Sequence, residues 1–379
     1  MLYFLSQFEY IISELRLFQY ITFRTLGAAA TGFFLMWLIT PGWIKKLHSL
    51  KFTVKKSNNR VDVEKPNSEI QIPTMGGLII IISTFISTLL WANPSNLYVI
   101  LTIGTLLAMG AIGFIDDYWK IKRKNGLSVK GKFIFQAIWT IIIFLVLWND
   151  IESQQRLRDF MVPFNKYPLF DLGLIGSFIF VLVVLIGASN AVNLTDGLDG
   201  LAIGCTNSVI AAYLLLTYVA GHYNFSQYLQ VPFVPGSGEL TVFCGSLLGA
   251  GLGFLWYNCH PAKIFMGDTG SLALGGSLAM LAILIKQELL LIIVGAVFVI
   301  EAISVIMQTL YYKYSRKKFG VGRRVFKCAP LHHHFEHLEK ERAIAANRIP
   351  ELVETVIVTR FWILGIIFAL IGVATLKIR

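Results

Sequence analysis

Hydrophobic positions along this chain run together instead of alternating with polar ones. Gly76–Trp91, Ile142–Trp148, Phe178–Ile186 and Leu289–Ile300 contain no charged residue. A stretch of about 18 or more mostly apolar residues can cross the hydrocarbon core of a bilayer. Windows of that kind predict about ten spans. They lie near 20–41, 75–92, 98–115, 133–149, 173–192, 199–220, 239–258, 271–285, 289–312 and 355–377. In lipid the backbone must satisfy its own hydrogen bonds, so apolar spans of this length become helices. The expected fold is all-α: a polytopic membrane helix bundle forming a single integral membrane domain over 1–379. No internal repeat or low-complexity segment interrupts it.

Composition narrows this further. The chain is 55% hydrophobic and 15% charged, whereas soluble domains carry about 45–50% apolar and about 25% charged residues. An ordinary soluble globular domain is therefore excluded. The charges that remain are unevenly placed. Loop 42–74 holds Lys45, Lys46, Lys51, Lys55, Lys56, Arg60 and Lys65. Loop 116–132 holds Lys120, Lys122, Arg123, Lys124, Lys130 and Lys132. Loop 313–354 adds Lys313, Arg316, Lys317, Lys318, Arg323, Arg324, Lys327, Lys340, Arg342 and Arg348. The alternate loops hold only Arg156, Arg158, Lys166 and Lys286.

Lys and Arg concentrate on the cytoplasmic side of membrane proteins. That side should carry the basic loops, with both N- and C-termini periplasmic or extracellular. The net charge of +11 then reflects topology and contact with anionic membrane lipids, and no nucleic acid is implied. The first residues include Glu9 and Glu14 and lack a basic n-region or cleavage site, so the first span is expected to serve as its own targeting signal. Cys205, Cys244, Cys259 and Cys328 form no CxxC pair and read as reduced thiols,. The outward loop 221–238, with Val231-Pro232-Phe233-Val234-Pro235-Gly236, is expected to form a short hairpin.

Acidic and polar groups at span ends are costly and tend to be functional. Asp116 and Asp117 close the third span, and helical spacing brings Lys120 near both,. Alone, this would read as an interfacial ion pair. Asn190, Asn193, Asp196 and Asp199 recur every third residue through Asn190–Gly200, with Gly197 and Gly200 allowing close backbone approach,. Asp268, in Phe265-Met266-Gly267-Asp268-Thr269-Gly270-Ser271, is either a helix cap or a metal ligand beside phosphate-binding amides,. His332, His333 and His334 are consecutive, so they point in different directions, and at most one or two should reach a shared ligand,. Glu301, Ser304 and Gln308 share a face of the ninth span, where Glu301 is expected to pack,. Arg24 should be ion-paired or snorkelling,.

All these clusters fall on the basic side. Aspartates among lysines and histidines suit a polyphosphate with a hard divalent cation, most simply Mg²⁺. A carboxylate there can also accept a proton or orient an attacking oxygen. The membrane setting implies a lipid as the second substrate.

Together with Pro73-Thr74-Met75-Gly76-Gly77, these motifs resemble, in order and from about residue 20 to the C-terminus, the phospho-N-acetylmuramoyl-pentapeptide transferases. Those are similar in turn to other polyprenyl-phosphate sugar-1-phosphate transferases. The resemblance implies a multi-pass enzyme of the bacterial inner (plasma) membrane with its active site on the cytoplasmic face. It implies Mg²⁺-dependent transfer from UDP-N-acetylmuramoyl-pentapeptide to undecaprenyl phosphate, yielding lipid I and UMP, by a homodimer. Carried over by motif, Asp268 is the metal ligand, Asp116 the base on the lipid phosphate and Asp117 its support. The implied substrate-binding set is Thr74, Lys120, Lys132, Asn190, Asn193, Asp196, Gly197, Asp199, Phe265, Gln308, His332, His333 and His334. One departure is visible: the basic residue usual before Pro73 is replaced by Ser68-Glu69-Ile70-Gln71-Ile72, and the nearest lysine is Lys65.

Two alternatives remain open at this stage. A transferase that passes N-acetylglucosamine-1-phosphate to a polyprenyl phosphate would share the aspartates, though the His332–Glu336 string favours the muramoyl donor. A metal or anion transporter should instead place its polar groups near the bilayer midplane.

Overall fold

The computed structural model describes residues 1–55, 71–123, 125–346 and 353–377. The helices are α1 (Ile21–Ser49), α2 (Gly77–Trp91), α3 (Leu97–Arg123), α4 (Val129–Asn149), α5 (Ile151–Arg158), α6 (Gly173–Thr195) and α7 (Leu201–Gly221). They continue with α8 (Tyr223–Leu229), α9 (Glu239–Asn258), α10 (Gly267–Leu284), α11 (Glu288–Val294), α12 (Ala296–Phe319), α13 (Leu331–Ala345) and α14 (Val353–Ala374). Among the described residues one small sheet occurs, with β1 (Thr53–Lys55) antiparallel to β2 (Gln71–Pro73) and Thr53 opposite Pro73.

Among the described residues nine helices are long and apolar enough to cross a membrane, and α2 is a shorter apolar helix. The chain is a multi-pass membrane protein, and each of the ten expected spans has its helix. The bundle is built around α10, which packs on α2, α3, α6 and α7. Of its apolar window 89% is buried, against 22% for α1 and for α12. Small residues explain the depth: Gly275 lies against the Ala188 carbonyl of α6, and Gly270 against Gly77 of α2. Without a hydrophobic drive between helices in lipid, such close backbone approach is what holds them together.

Three elements differ from the sequence reading. The eighth span begins at Gly267, a turn before 271, so Asp268 lies inside the first turn of α10. The ninth divides at Gly295 into α11 and α12, and α12 runs on to Phe319. The outward hairpin is not formed. Residues 223–229 are helical, and Val234 donates instead to the Ala220 carbonyl, seating its side chain in the core. Pro232 and Pro235 each lack the N–H that a hairpin ladder needs,.

At the end of the bundle opposite the basic loops, Arg24 of α1 meets Glu239 of α9 in a two-pronged pair at 2.7 and 2.6 Å. It also donates to the Trp91 carbonyl at 3.3 Å. Arg24 is thus ion-paired inside the bundle, not snorkelling.

Candidate active site at the basic end

The final turns of α3 and the first turn of α10 bring three aspartates together. One carboxylate oxygen each from Asp116, Asp117 and Asp268 lies within 4.8 Å of the others. Lys120, one turn along α3, stands among them: its Nζ is 2.6 Å from Asp116, 3.7 Å from Asp117 and 3.0 Å from Asp268. Lys132, from the first turn of α4, lies 2.7 Å from Asp116 and 2.5 Å from Asp268. Both lysines follow from helical spacing and from the short α3–α4 connection, whose Leu127 N–H donates to Asp116 Oδ1 at 2.6 Å.

The two neighbouring aspartates have different surroundings. Asp117 accepts from Asp268 N–H (3.2 Å), Thr269 N–H (2.9 Å) and the Thr269 hydroxyl (2.8 Å). It therefore caps α10 from another helix, satisfying amides that a helix start leaves open. Asp116 Oδ2 and the Asp268 carboxylate face the ammonium groups instead. Gly267 makes this junction possible. Its φ is +74°, and a Cβ there would stand 2.5 Å from Asp117 Oδ2 and 3.2 Å from the Thr74 hydroxyl. Thr74 is thereby placed at the site. Its strand is braced by Phe265, whose N–H donates to the Pro73 carbonyl and whose carbonyl accepts from Gly76.

The Asn190–Gly200 motif spreads over several partners. Asn193 accepts from the Ser271 hydroxyl of α10 at 2.8 Å, beside the aspartates. Asn190, one turn back, points into the bundle and donates to Gln136 of α4 at 3.0 Å. Asp196 follows the end of α6. Burial and the carboxylates of Asp268, Asp117 and Asp199 push its pKa up to about 8. Asp199 turns to a second group: its Oδ2 is 3.1 Å from His260 Nδ1 and accepts from Ala262 N–H, while its N–H donates to Glu354. His260 and Glu354 stand in no motif, so the sequence offered no signal for them.

The three histidines diverge. His332 is wholly buried. Its N–H donates to Glu301 Oε1 at 3.1 Å, and its Nδ1 lies 3.3 Å from Glu301 Oε2. Its ring lies over Gly197, where a Cβ would stand 2.3 Å from Nε2; only glycine leaves room there. His333 pairs with Glu336 at 2.9 Å, and His334 Nδ1 accepts from Lys327 N–H at 3.2 Å. Gln308 bonds to the 325–326 backbone: Oε1 accepts from Val325 and Phe326 N–H, both at 3.0 Å, and Nε2 donates to the Phe326 carbonyl at 3.1 Å. Glu301 does pack, as expected, and it does so against His332. Lys65, the nearest lysine before Pro73, lies outside the described residues.

A polytopic bundle with three aspartates and two lysines converging at one end describes a membrane enzyme for phosphorylated substrates. Residues 98–286 match the glycosyl transferase family 4, the stretch that contains the aspartates. Relatives extend over the whole chain. The phospho-N-acetylmuramoyl-pentapeptide-transferase of Methylacidiphilum infernorum is 43% identical over 385 aligned residues, covering 100% of both chains. That of Opitutus terrae is 45% identical, again over 100% of both. That of Solidesulfovibrio magneticus is 47% identical, over 97% of this chain and 96% of its own. The chain belongs to the phospho-N-acetylmuramoyl-pentapeptide transferase family.

Proposed function

We propose that this protein transfers phospho-N-acetylmuramoyl-pentapeptide from its UDP-linked donor to undecaprenyl phosphate, releasing UMP and leaving lipid I in the membrane. The observation that carries the proposal is the convergence of Asp116, Asp117 and Asp268 around Lys120 and Lys132 in a chain related end to end to enzymes of that name. A lipid-phosphate oxygen bonds to the β-phosphorus, and the bond from that phosphorus to the bridging oxygen breaks. UMP departs with the electron pair.

The carboxylate oxygens of Asp268 and Asp116 form a hard donor set suited to Mg²⁺, which holds few carboxylates and completes its shell with substrate oxygens. When bound, the ion neutralises pyrophosphate charge and stabilises the leaving oxygen. Asp268 is its principal ligand in this reading. Lys120 and Lys132 turn from carboxylates to phosphate oxygens as the donor enters, and Asp117 keeps α10 and α3 in register. Asp116, beside both lysines, orients the lipid phosphate and accepts its proton if one remains. Phe265 offers a ring face for the uracil. Asn193, Asp196 and Gly197 line the path from the nucleotide to the sugar phosphate, with the His332 ring directly behind Gly197. The basic end faces the cytoplasm, by the charge of its loops. The nucleotide sugar thus arrives from the cytosol while the lipid phosphate stays in the bacterial plasma membrane.

A donor competition assay tests this. Purified enzyme with undecaprenyl phosphate should release UMP from the muramoyl-pentapeptide donor and ignore UDP-N-acetylglucosamine. Efficient turnover of the latter alone would reassign the chain to the N-acetylglucosamine-1-phosphate branch.

A further inference from the structure

After Gly320 the chain reverses and runs back along α12 to the start of α13. The backbone of residues 321–330 has almost no regular support. Among the described residues its one backbone–backbone hydrogen bond is at Pro330, whose carbonyl accepts from His333 N–H. None of its residues is buried, so burial does not dictate its shape. Side chains of α12 hold it instead. Ser315 Oγ accepts from Arg323 N–H at 2.7 Å. Gln308 makes its three bonds to Val325 and Phe326. Glu301 takes the His332 N–H. These residues recur every two turns on one face of α12 and span about 21 Å along its axis. In the same order the returning chain presents Arg323, Val325, Phe326 and His332.

We propose that Glu301, Gln308 and Ser315 are positioning residues for the transfer reaction: a polar stripe on α12 that lays the returning segment in register and thereby sets the His332 ring against the Asp196–Gly197 turn. The inference rests on the reading of His332 as a site residue. The geometry favours it over packing alone. Among the described residues His332 Nε2, which is buried, has no hydrogen-bond partner, and it lies toward Gly197, so a small displacement of α13 moves it off the turn. Gln308 acts here through the segment that it holds. Ser315, about 21 Å from Glu301 along the helix, has the same function at a distance no substrate contact requires.

Hydrogen–deuterium exchange of the full-length enzyme in detergent, without substrate, is measured over 320–332 beside steady-state kcat and KM for the nucleotide sugar. Gln308→Met should speed exchange at 325 and 326 by about 10- to 100-fold, since an amide held by an acceptor exchanges only on local opening and a freed one does not need it. Ser315→Ala should speed exchange at 323 several-fold. Gln308→Glu, which keeps the acceptor for both N–H groups, should restore most protection. Turnover should fall in the same order, mainly in kcat. Unchanged exchange in Gln308→Met would make Gln308 a substrate contact and overturn the inference. Faster exchange with wild-type kcat in Ser315→Ala would overturn it too, by separating the segment from the reaction. His332→Ala separates the two levels. If it retains wild-type turnover, the reading of His332 fails; if it is inactive while Ser315→Ala and Gln308→Met turn over normally, only the stripe fails.

Discussion

The two ends of the bundle hold charge in different ways. At the end away from the basic loops, each buried cation has its own carboxylate. Arg24 takes both oxygens of Glu239, and Asn93 N–H takes a further place on Glu239 Oε2 at 2.9 Å. Lys286 meets Glu288 at 2.8 Å in the α10–α11 link. At the basic end three carboxylates share two ammonium groups, and Lys120 lies within ion-pair distance of all three. The first arrangement is complete and gains nothing from a newcomer. The second keeps an excess of negative charge and lysines with a choice of partners. A cation and a phosphate can enter it together with little change in total charge. One kind of buried charge joins helices; the other has the charge balance that the proposed reaction needs.

The contrast is broken most severely at the shared cluster. Asp268→Ala should lower UMP release at ordinary magnesium by at least about 10²–10³-fold, the range seen when one electrostatic stabiliser of a transition state is removed. Asp116→Asn should lose about 10²-fold, a typical share for an acid–base group, and still bind the nucleotide sugar. Neither variant should lose much thermal stability, because α10 remains capped by Asp117. Turnover near wild type in Asp268→Ala would remove the metal role, and an unchanged rate in Asp116→Asn would remove that residue from the chemistry.

The far end should respond in the opposite sense. Glu239→Gln leaves a buried guanidinium without its counter-charge and should destabilise the fold by about 3–5 kcal/mol. The activity of the enzyme that stays folded should be unaltered. Replacing both partners, Arg24→Met with Glu239→Leu, should recover most of the loss. What stays lost is about 1–3 kcal/mol for the orphaned Asn93 N–H. Thermal melts in detergent beside initial rates check both parts. A double variant as inactive as Asp268→Ala would mean that the two ends are not separate.

How much of this was legible beforehand follows from what is local. Spans are local, since lipid admits only self-satisfied backbone, and uninterrupted apolar runs of that length have one structural outcome. The Asp116–Lys120 pairing is local too, fixed by one helical turn. The meeting of Asp117 with Thr269 is not, because it needs α3 and α10 side by side. Three-residue spacing placed Asn190 and Asp199 on one face with Asn193. That face ends with α6 at Thr195, so Asp199 turned away to His260 and Glu354. Gln308 stands out in the sequence as a polar group in an apolar helix, on one face with Glu301 and Ser304. Its partners are backbone atoms of an irregular segment, which carry no residue signature.

The smallest expected effect concerns α13, which lies at the basic end yet bears charge in the matched style. Glu336 sits between His333 Nδ1 at 2.9 Å and Lys340 Nζ at 2.6 Å. Desolvation alone would raise its pKa. The hydrogen bonds from His333 and Lys340 outweigh that and hold it at about 2, below its ordinary 4.5. A carboxylate depressed on folding contributes its full stability above the unfolded value and loses it as pH falls through the folded one. The contribution should therefore be intact at neutral pH and fade from about pH 4.5 toward about pH 2. Lys340 and His333 are each about a third exposed, so screening keeps it to about 1 kcal/mol or less. Glu336→Gln should lower the melting temperature slightly at pH 7, and the gap to wild type should narrow as the pH is lowered to 4 and below. A gap that stays constant over that range would show that the pairing adds nothing to stability.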